Sequence, residues 1–286
     1  MSNSGTIILI PTSGLANRLR IMAAAIKLSR EGGKKLIIYW DTNFELNARF
    51  GDLFEFPANI LVQPIPLKYK FWINMTRFSS KLFGFEKWYL SLFKFDFIFL
   101  DRMATDVWHN RLNLQNEVDK AQHIFICSCQ EVKYYDVADY QLFKPVAAIQ
   151  KKIDNLVHQF KPSIIGIHIR STDHTTSMEN SPFYLFENKI EEELNVNPEA
   201  SFFLATDNKE YQNKLLKKFG REKIAFHKKE FRRDVDEGIK DAVVDLFCLS
   251  KTSKIYGSYF SSFSEVAGRI GQVPVHVLKK ETAHAN

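Results

Sequence analysis

One predicted strand ends in side chains that suit an anionic ligand. Residues 165–170 alternate isoleucine with other residues, and this alternation places Gly166, His168 and Arg170 on one face of a strand. A guanidinium group binds phosphate oxygens through two parallel hydrogen bonds and keeps its charge. Because ligands of open α/β sheets bind beyond the carboxyl ends of the strands, Arg170 is a candidate for contacting a pyrophosphate.

A polar loop follows this strand and carries two carboxylates, Asp173 and Glu179. Either carboxylate is a candidate to orient Arg170. One of them is also a candidate general base, which would take a proton from a reacting hydroxyl. A lone arginine at a strand end is more often a surface or ion-pair residue, but here it has polar neighbours. The sequence therefore predicts a catalytic group of Arg170, Asp173 and Glu179.

Carboxylates in two other segments are candidates for the same edge of the sheet. Asp207 follows a predicted strand at 201–206 and suits either a ligand contact or the N-cap of the next helix. Asp241 and Asp245 lie one turn apart on a predicted helix, where like charges repel unless a partner binds them. The basic segment 227–233 is either a solvated loop or a funnel for anions.

The start of the last predicted helix is rich in serine. Ser261, Ser262 and Ser264 surround Phe263, and backbone N–H groups at a helix N-terminus bind anions readily. Ser262 and Glu265 also have the spacing of a capping box, which explains two serines without a ligand. The two interpretations are compatible, and the functional one predicts that this helix start holds a diphosphate.

Several familiar active-site motifs do not occur in the sequence. It contains no G-x-G-x-x-G fingerprint, Walker A loop, H-E-x-x-H motif or G-x-S-x-G elbow. This disfavours dehydrogenases, phosphate hydrolases, zinc proteases and α/β-hydrolases. An Asp-x-Asp motif occurs only at 234–236, in a segment that we expect at the surface, so we predict no metal site and no cofactor.

The elements around these residues alternate as they do in α/β proteins. The chain opens with a predicted strand at 6–11, a helix at 16–29 and a strand at 35–40, and such crossover units imply a parallel sheet. The second half alternates strands with helices throughout. We predict an α/β fold of two Rossmann-like domains, residues 1–142 and 143–286, the second of them a doubly wound parallel sheet.

Composition limits the partners and the location of the protein. The formal net charge is +6 and the pI is about 9.0, which favours an anionic partner. Lys and Arg are spread along the chain without a nucleic-acid-binding motif, so we expect no nucleic acid. Three cysteines without disulfide or metal spacing favour a reduced, cytoplasmic location. Because the apolar run at 6–10 is short and no basic segment precedes it, we expect neither a signal peptide nor a membrane-spanning helix.

Residues 66–100 interleave phenylalanines with lysines and arginines. Aromatic side chains at helical spacing usually face a protein core, whereas basic amphipathic segments lie on anionic membranes. We favour a core position for this Phe-rich insertion. A peripheral contact with the inner face of a membrane, or a contact with an acceptor, is the alternative.

Four segments together resemble the fucosyltransferase superfamily: GLANRLR at 14–20, IGIHIRSTD at 165–173, FFLATD at 202–207 and DLFCLSKTSKIYGSYFSSFSEVAGRIG at 245–271. The resemblance is greatest to the branch that contains the nodulation fucosyltransferase, the α-1,6-fucosyltransferases and the protein O-fucosyltransferases. It implies a GT-B fold, in which two Rossmann-like domains face a cleft. The first domain would then lie on the acceptor side, and the second would bind a GDP-sugar.

The resemblance also implies roles for single residues. Arg170 matches the arginine that neutralises the β-phosphate of the departing GDP in place of a metal ion, and Glu179 lies near the base of the α-1,6 enzymes. The other matches all contact the donor in the family: His168, Asp207 and Asp245 at the nucleotide, Ser261, Ser262, Phe263 and Ser264 at the phosphates, and Gly14, Asn17 and Arg18 in a loop that closes over the sugar diphosphate.

One departure from the family concerns the donor. Many relatives carry two successive arginines where this chain has Arg170 and Ser171. We expect an inverting glycosyltransferase that moves a sugar, with fucose the expected one, from a GDP-sugar to a hydroxyl of a glycan acceptor without a metal ion. The alternatives are a transferase for another nucleotide sugar and a non-catalytic relative that binds a nucleotide or a glycan.

Overall fold

The computed structural model describes residues 5–56, 60–78, 90, 92–132, 137–171, 175–232 and 234–280. The chain divides into two compact units, Met1–Lys144 and Pro145–Asn286, which we call unit 1 and unit 2. Within the described ranges, no helix combines the length and the apolar composition that crossing a membrane requires. The three cysteines are free thiols.

Unit 1 contains a five-stranded parallel sheet with the order β3-β2-β1-β5-β4. Its strands are β1 (Thr6–Pro11), β2 (Lys35–Trp40), β3 (Leu61–Pro64), β4 (Phe97–Leu100) and β5 (His123–Ser128). The central strands β1 and β5 are rich in Ile, as strands covered on both faces usually are. The predicted bounds of β1 and β2 are confirmed, whereas β3 and β4 were not predicted.

The helices of unit 1 connect and cover these strands. They are α1 (Leu15–Glu31), α2 (Phe50–Leu53), α3 (Leu67–Phe78), α4 (Ala104–Trp108), α5 (Leu114–Lys120) and α6 (Val137–Tyr140), with a 3₁₀ turn at Asp101–Met103. Ala23, Ala24 and Ala25 in the middle of α1 are fully buried. Their small side chains allow the helix to pack closely against the sheet.

The Phe-rich segment contributes to the core of unit 1. Tyr69 and Trp72 of α3 pack against Phe125 of β5, with ring centroids 5.5 and 5.4 Å apart, and Phe95 lies 5.2 Å from the same ring. The predicted core position is therefore confirmed for this part of the segment. Residues 79–89 lie outside the described part of the chain.

Unit 2 contains a second parallel sheet of five strands, in the order β10-β9-β6-β7-β8. Its strands are β6 (Ile165–Ile169), β7 (Phe202–Thr206), β8 (Ile224–Phe226), β9 (Ile255–Ser258) and β10 (Val275–Leu278). The chain builds outwards from β6 to β8, then returns and builds β9 and β10 on the other side. Such an order creates a topological switch point between β6 and β9.

Helices of unit 2 fill the gaps between strands as predicted, and a further short helix at Thr175–Asn180 forms where the sequence predicted a polar loop. They are α7 (Ala147–Val157), α8 (Thr175–Asn180), α9 (Phe183–Val196), α10 (Lys209–Phe219), α11 (Asp236–Leu249) and α12 (Ser262–Gly271). Ile165, Ile167 and Ile169 of β6 share a core cluster with Phe186 and Ile190 of α9. The predicted alternation along β6 and the α/β fold are both confirmed.

Candidate functional site

The carboxyl ends of β6 and β9 lie side by side at the switch point of unit 2. Residues Gly166, Ile167 and His168 of β6 are in register with Ile255, Tyr256 and Gly257 of β9. Arg170 follows β6, and α12 begins shortly after β9. The switch point therefore places a guanidinium group and a helix N-terminus on one edge of the sheet, where open α/β sheets bind ligands.

A buried serine fixes the backbone at Arg170. The N–H group of Arg170 donates a hydrogen bond to Ser258 Oγ at 3.0 Å, and Ser258 Oγ lies 3.4 Å from the carbonyl oxygen of His168, to which it donates. Ser258 is only 1% exposed, whereas Arg170 is half-buried. The anchored backbone fixes the point from which the side chain of Arg170 extends, just beyond the carboxyl end of β6.

His168 and Phe263 form a stacked pair beside Arg170. Their ring centroids are 4.9 Å apart with an interplanar angle of 23°, and His168 is buried. One ring belongs to β6 and the other to the first turn of α12, so the stack joins the strand to the helix start. The structure thus brings together two of the residues that the sequence predicted at the donor.

The N-terminus of α12 lacks the predicted capping box. Ser261 is the N-cap residue and makes no side-chain cap hydrogen bond, and its buried hydroxyl has no hydrogen-bond partner among the described residues. Ser262 lies within the helix, and Glu265 pairs with Arg269 one turn later, so the capping-box prediction is wrong. Backbone N–H groups that no side chain caps suit a phosphate.

Gly257 allows α12 to approach β9 closely. A Cβ atom at this position would lie 2.4 Å from Ser264 Oγ and 2.6 Å from Ser264 Cβ, both well inside van der Waals contact. Ser264 is buried, and its hydroxyl donates to the carbonyl oxygen of Ser261 at 3.3 Å. In this structure Ser264 therefore positions the helix start, and its hydroxyl is covered where the resemblance implied a phosphate contact.

Ser171 is tied to the end of β7 by two hydrogen bonds. Its N–H group donates to Asp207 Oδ1 at 2.8 Å, and Asn208 Nδ2 donates to its hydroxyl at 2.8 Å. The N-cap of α10 is Asn208, whose side chain accepts hydrogen bonds from Glu210 and Tyr211. The alternative role of Asp207 as an N-cap is therefore wrong, and Asp207 holds the loop that follows Arg170.

The predicted general bases lie in and before α8. Asp173 lies outside the described residues, and Glu179 is exposed near the end of α8. The helix is tethered by Ser181, whose Oγ accepts a hydrogen bond from the N–H group of Tyr259 at 2.7 Å and donates to the carbonyl oxygen of Leu278. Glu179 thus belongs to an element that is fastened to the carboxyl ends of β9 and β10.

Asp241 and Asp245 are bound by cations of their own chain. His227 Nε2 lies 2.8 Å from Asp241 Oδ1 and Lys152 Nζ lies 3.3 Å from it, while Lys229 forms an ion pair with Asp245. The predicted need for a partner is met, and the partners include two residues of the basic segment. At His227 and Lys229 the basic segment is therefore neither a solvated loop nor an open anion funnel, because both side chains already pair with carboxylates.

Burial dominates the electrostatics of this acidic pair. Burial raises the pKa of Asp245 although Lys229 lies against it. Burial acts to raise the pKa of Asp241 as well, but hydrogen bonds from His227 and from the N–H group of Glu230 outweigh it, and the pKa is lowered. Since Asp245 is only 4% exposed, this structure leaves it no access to a nucleotide, contrary to the role implied by the resemblance.

The Asp-x-Asp motif lies at the surface, as predicted. Asp234 pairs with Arg232 at 2.8 Å, and Asp236 pairs with Lys240. Both carboxylates are about half exposed, 56% and 45%. Among the described residues, no group of three or more His, Cys, Asp or Glu side chains has the arrangement of a metal site.

The loop predicted to close over a sugar diphosphate follows β1 in unit 1. Gly14 is the N-cap residue of α1, and Asn17 Nδ2 donates to Ser13 Oγ at 3.1 Å. Arg18 is fully buried: its Nε donates to the carbonyl oxygen of Ser13 at 2.7 Å, and its guanidinium lies 4.8 Å from the Trp40 ring. Arg18 therefore supports this loop from beneath, where a ligand has no access in this structure.

The sequence interpretation missed two residues that hold the site together. Ser258 occurred only within the stretch 245–271 that carries the resemblance, and Asn208 was not considered. The signal for Asn208 was available, because Asn is a preferred N-cap and directly precedes α10. Ser258 had no such signal, since its function depends on the pairing of β6 with β9.

Comparison with known proteins identifies structural neighbours. No protein-family profile matches the chain, and no curated protein is significantly similar to it in sequence. A crystal structure of the NodZ α-1,6-fucosyltransferase soaked with GDP-fucose has a TM-score of 0.62 at 17% identity, over 95% of this chain and 94% of that chain. FUT1 of Arabidopsis thaliana in complex with GDP has a TM-score of 0.61 at 12% identity, over 98% of this chain and 71% of that chain.

A third neighbour comes from another group of fucosyltransferases. POFUT1 in complex with GDP-fucose has a TM-score of 0.59 at 12% identity, over 97% of this chain and 99% of that chain. The alignments cover both units. Because the sequence identities are low, the alignments show similarity of fold only. The chain therefore has the two-unit α/β fold of these fucosyltransferase structures.

Proposed function

We propose that the protein is a glycosyltransferase that moves fucose from GDP-fucose to a hydroxyl of a glycan acceptor. The observation that carries the proposal is the switch point of unit 2, where Arg170, the stacked His168 and Phe263, and the start of α12 converge. A guanidinium group and a helix N-terminus together complement a diphosphate. Neighbouring structures with GDP or GDP-fucose bound support this choice of donor.

The proposed mechanism is an inverting displacement. An acceptor hydroxyl attacks the anomeric carbon while GDP leaves from the opposite face, and negative charge develops on the β-phosphate oxygens. Arg170 and the N–H groups at the start of α12 stabilise that charge, so the reaction requires no metal ion. One preorganised donor of this kind is worth about 3 kcal/mol in the transition state.

Glu179 is our candidate for the general base. It is exposed in α8, on an element fastened to the same edge of the sheet through Ser181. Asp173 is the alternative. A carboxylate base contributes about 10²–10⁴ in rate, and the oxocarbenium character of the transition state lets the hydroxyl lose its proton late.

We also propose a cytoplasmic location for the enzyme. The support is chemical: Cys127, Cys129 and Cys248 are free thiols, and reducing compartments maintain free thiols. Fractionation of cells that express the full chain tests this proposal. Recovery of the protein from an oxidising compartment would contradict it.

Calorimetric titration of GDP-fucose, GDP-mannose and UDP-glucose in EDTA tests the donor assignment. We expect preferential binding of GDP-fucose by the wild type. In a separate assay of sugar transfer, Arg170→Ala should lose about 10²–10³ in turnover. The variant should keep its fold because Ser258 binds the backbone of Arg170 and not its side chain. Arg170→Lys keeps the charge without the bidentate geometry, and it should recover only part of the activity.

Arg269→Ala is a matched control on α12, because Arg269 lies in the last turn of the helix and pairs with Glu265. It should bind GDP-fucose like the wild type. Equal binding of all three nucleotide sugars, or normal transfer by Arg170→Ala, would refute the mechanism. GDP binding without transfer or donor hydrolysis would identify a non-catalytic relative.

A further inference from the structure

We propose that unit 2 has a second binding site, for a phosphorylated small molecule with a sugar-like carbon skeleton. A surface cavity of about 740 Å³ lies along the edge strand β8. It is bordered by Ile164, Ser201 and Lys223, which directly precede β6, β7 and β8, and it extends to Lys228. No lining residue belongs to the site around Arg170, so the inference is independent of the proposed function.

The cavity is lined by cations that have no carboxylate partner. Lys161, Arg221 and Lys228 make no ion pair with any described residue, and Lys223 donates only to the carbonyl oxygen of Pro198. No ion pair with a carboxylate among the described residues therefore neutralises Lys161, Arg221 or Lys228.

Helix dipoles account for only part of this charge. The C-termini of α7 and α10 point towards the amino ends of the strands, and cations near helix C-termini are favourable. Each C-terminus carries about half a negative charge, and Glu222 adds one more at the cavity rim. Four cations exceed these charges by about two, so a net positive potential remains for a dianion such as a phosphate monoester.

Aromatic rings give the cavity a surface for a carbon skeleton. Phe160 and Phe226 line it, and the guanidinium of Arg221 lies 5.5 Å from the centroid of the Phe226 ring. The volume falls within the range of about 300–1,000 Å³ that is typical of small-molecule sites. The combination of ring faces and unpaired cations favours a sugar phosphate over an inorganic ion alone.

Calorimetric titration of glucose 6-phosphate, inorganic pyrophosphate and glucose into the full chain tests the proposal. We expect both phosphates to bind, the sugar phosphate more tightly, and glucose not to bind. Lys161→Gln/Lys228→Gln should weaken phosphate binding about tenfold or more. Lys151→Gln/Lys251→Gln removes two exposed lysines away from the cavity and should bind like the wild type.

A further variant distinguishes binding in this cavity from binding at the switch point. Arg170→Ala should bind glucose 6-phosphate normally. The proposal is overturned if neither phosphate binds, or if Arg170→Ala abolishes the binding of glucose 6-phosphate. It is also overturned if an acidic peptide binds through Lys161 and Lys228 while the two phosphates do not bind.

Discussion

Ser171 shows how one residue changes function with its environment. The resemblance places a second arginine at this position in many relatives, whereas this chain uses a buried serine that bonds to Asp207 and Asn208. The loop after Arg170 is thus held by hydrogen bonds to a carboxylate and to an amide, without a second cation. The positive charge at this edge of the sheet then comes from Arg170 and the start of α12. Ser171 supplies rigidity instead of charge.

Restoring the second arginine should therefore not strengthen donor binding. Ser171 is 7% exposed, so Ser171→Arg forces a large side chain into filled space and should destabilise the fold by about 1–3 kcal/mol. Ser171→Ala loses only the contact with Asn208 and should cost about 1 kcal/mol. Urea denaturation and GDP titration measure both effects. Tighter GDP binding by a stable Ser171→Arg variant would contradict this account.

Asp245 has a structural role that its sequence position alone did not reveal. Two carboxylates one turn apart predict that something binds them, but the spacing does not say whether the partner is a ligand or the chain itself. The partners, His227 and Lys229, come from the loop after β8. Their approach depends on the folded path of that loop, which no local pattern in the sequence encodes.

Removal of Asp245 should therefore affect stability before it affects GDP binding. Asp245→Ala leaves Lys229 buried without its partner, and breaking such a pair costs about 3–5 kcal/mol. Replacing both residues, in Lys229→Met/Asp245→Leu, should restore most of the loss. Chemical denaturation of the single and double variants measures the coupling. Weakened GDP binding by Asp245→Ala at unchanged stability would instead support the role implied by the resemblance.

At the scale of elements, α12, β9 and β6 fix one another's positions. Ser264 packs on Gly257, Phe263 stacks on His168, and Ser258 holds the backbone of Arg170. The start of α12, β9 and β6 are therefore positioned by contacts with one another. A shift of α12 would move the N–H groups of its first turn relative to Arg170.

Gly257→Ala tests this coupling. Its Cβ atom would lie 2.6 Å from Ser264 Cβ, so we expect α12 to move outwards, a loss of about 1–3 kcal/mol in stability and weaker GDP binding. Gly257→Ala/Ser264→Gly removes the clash and should recover GDP binding. Gly14→Ala serves as the control for stability, because a Cβ atom there has nothing within 4 Å.

The elements themselves were largely predictable, with instructive exceptions. Strands β1 and β2 were recognised because continuous apolar runs are bounded by glycines and polar residues. Strands β3 and β4 have four residues each, too few for a period to be visible, and β4 is embedded among phenylalanines that favour no one structure. The capping-box prediction failed because Ser261, not Ser262, is the N-cap residue of α12, which places Glu265 one position beyond N3, and spacing alone does not fix which serine begins the helix.

At the scale of the whole molecule, the sheet of unit 2 has two chemically distinct regions. The carboxyl ends of β6 and β9 carry one guanidinium and a helix start, whereas the cavity along β8 carries several unpaired cations. The buried isoleucines of β6, with Phe202 and Leu204 of β7, lie between them. Ligands at the two regions should therefore act on different backbone amides.

Hydrogen exchange measured by mass spectrometry should separate the two regions. At a GDP concentration of 100 times Kd, binding stabilises the native state by about 2.7 kcal/mol, so amides near the site that exchange by local opening should slow by up to about 100-fold. We expect this protection in residues 165–171 and 255–266. Glucose 6-phosphate should instead protect residues 156–161 and 221–228, and Arg170→Ala should abolish only the first pattern. If GDP protects the β8 cavity and leaves the switch point unchanged, the donor site has been assigned to the wrong region of the sheet.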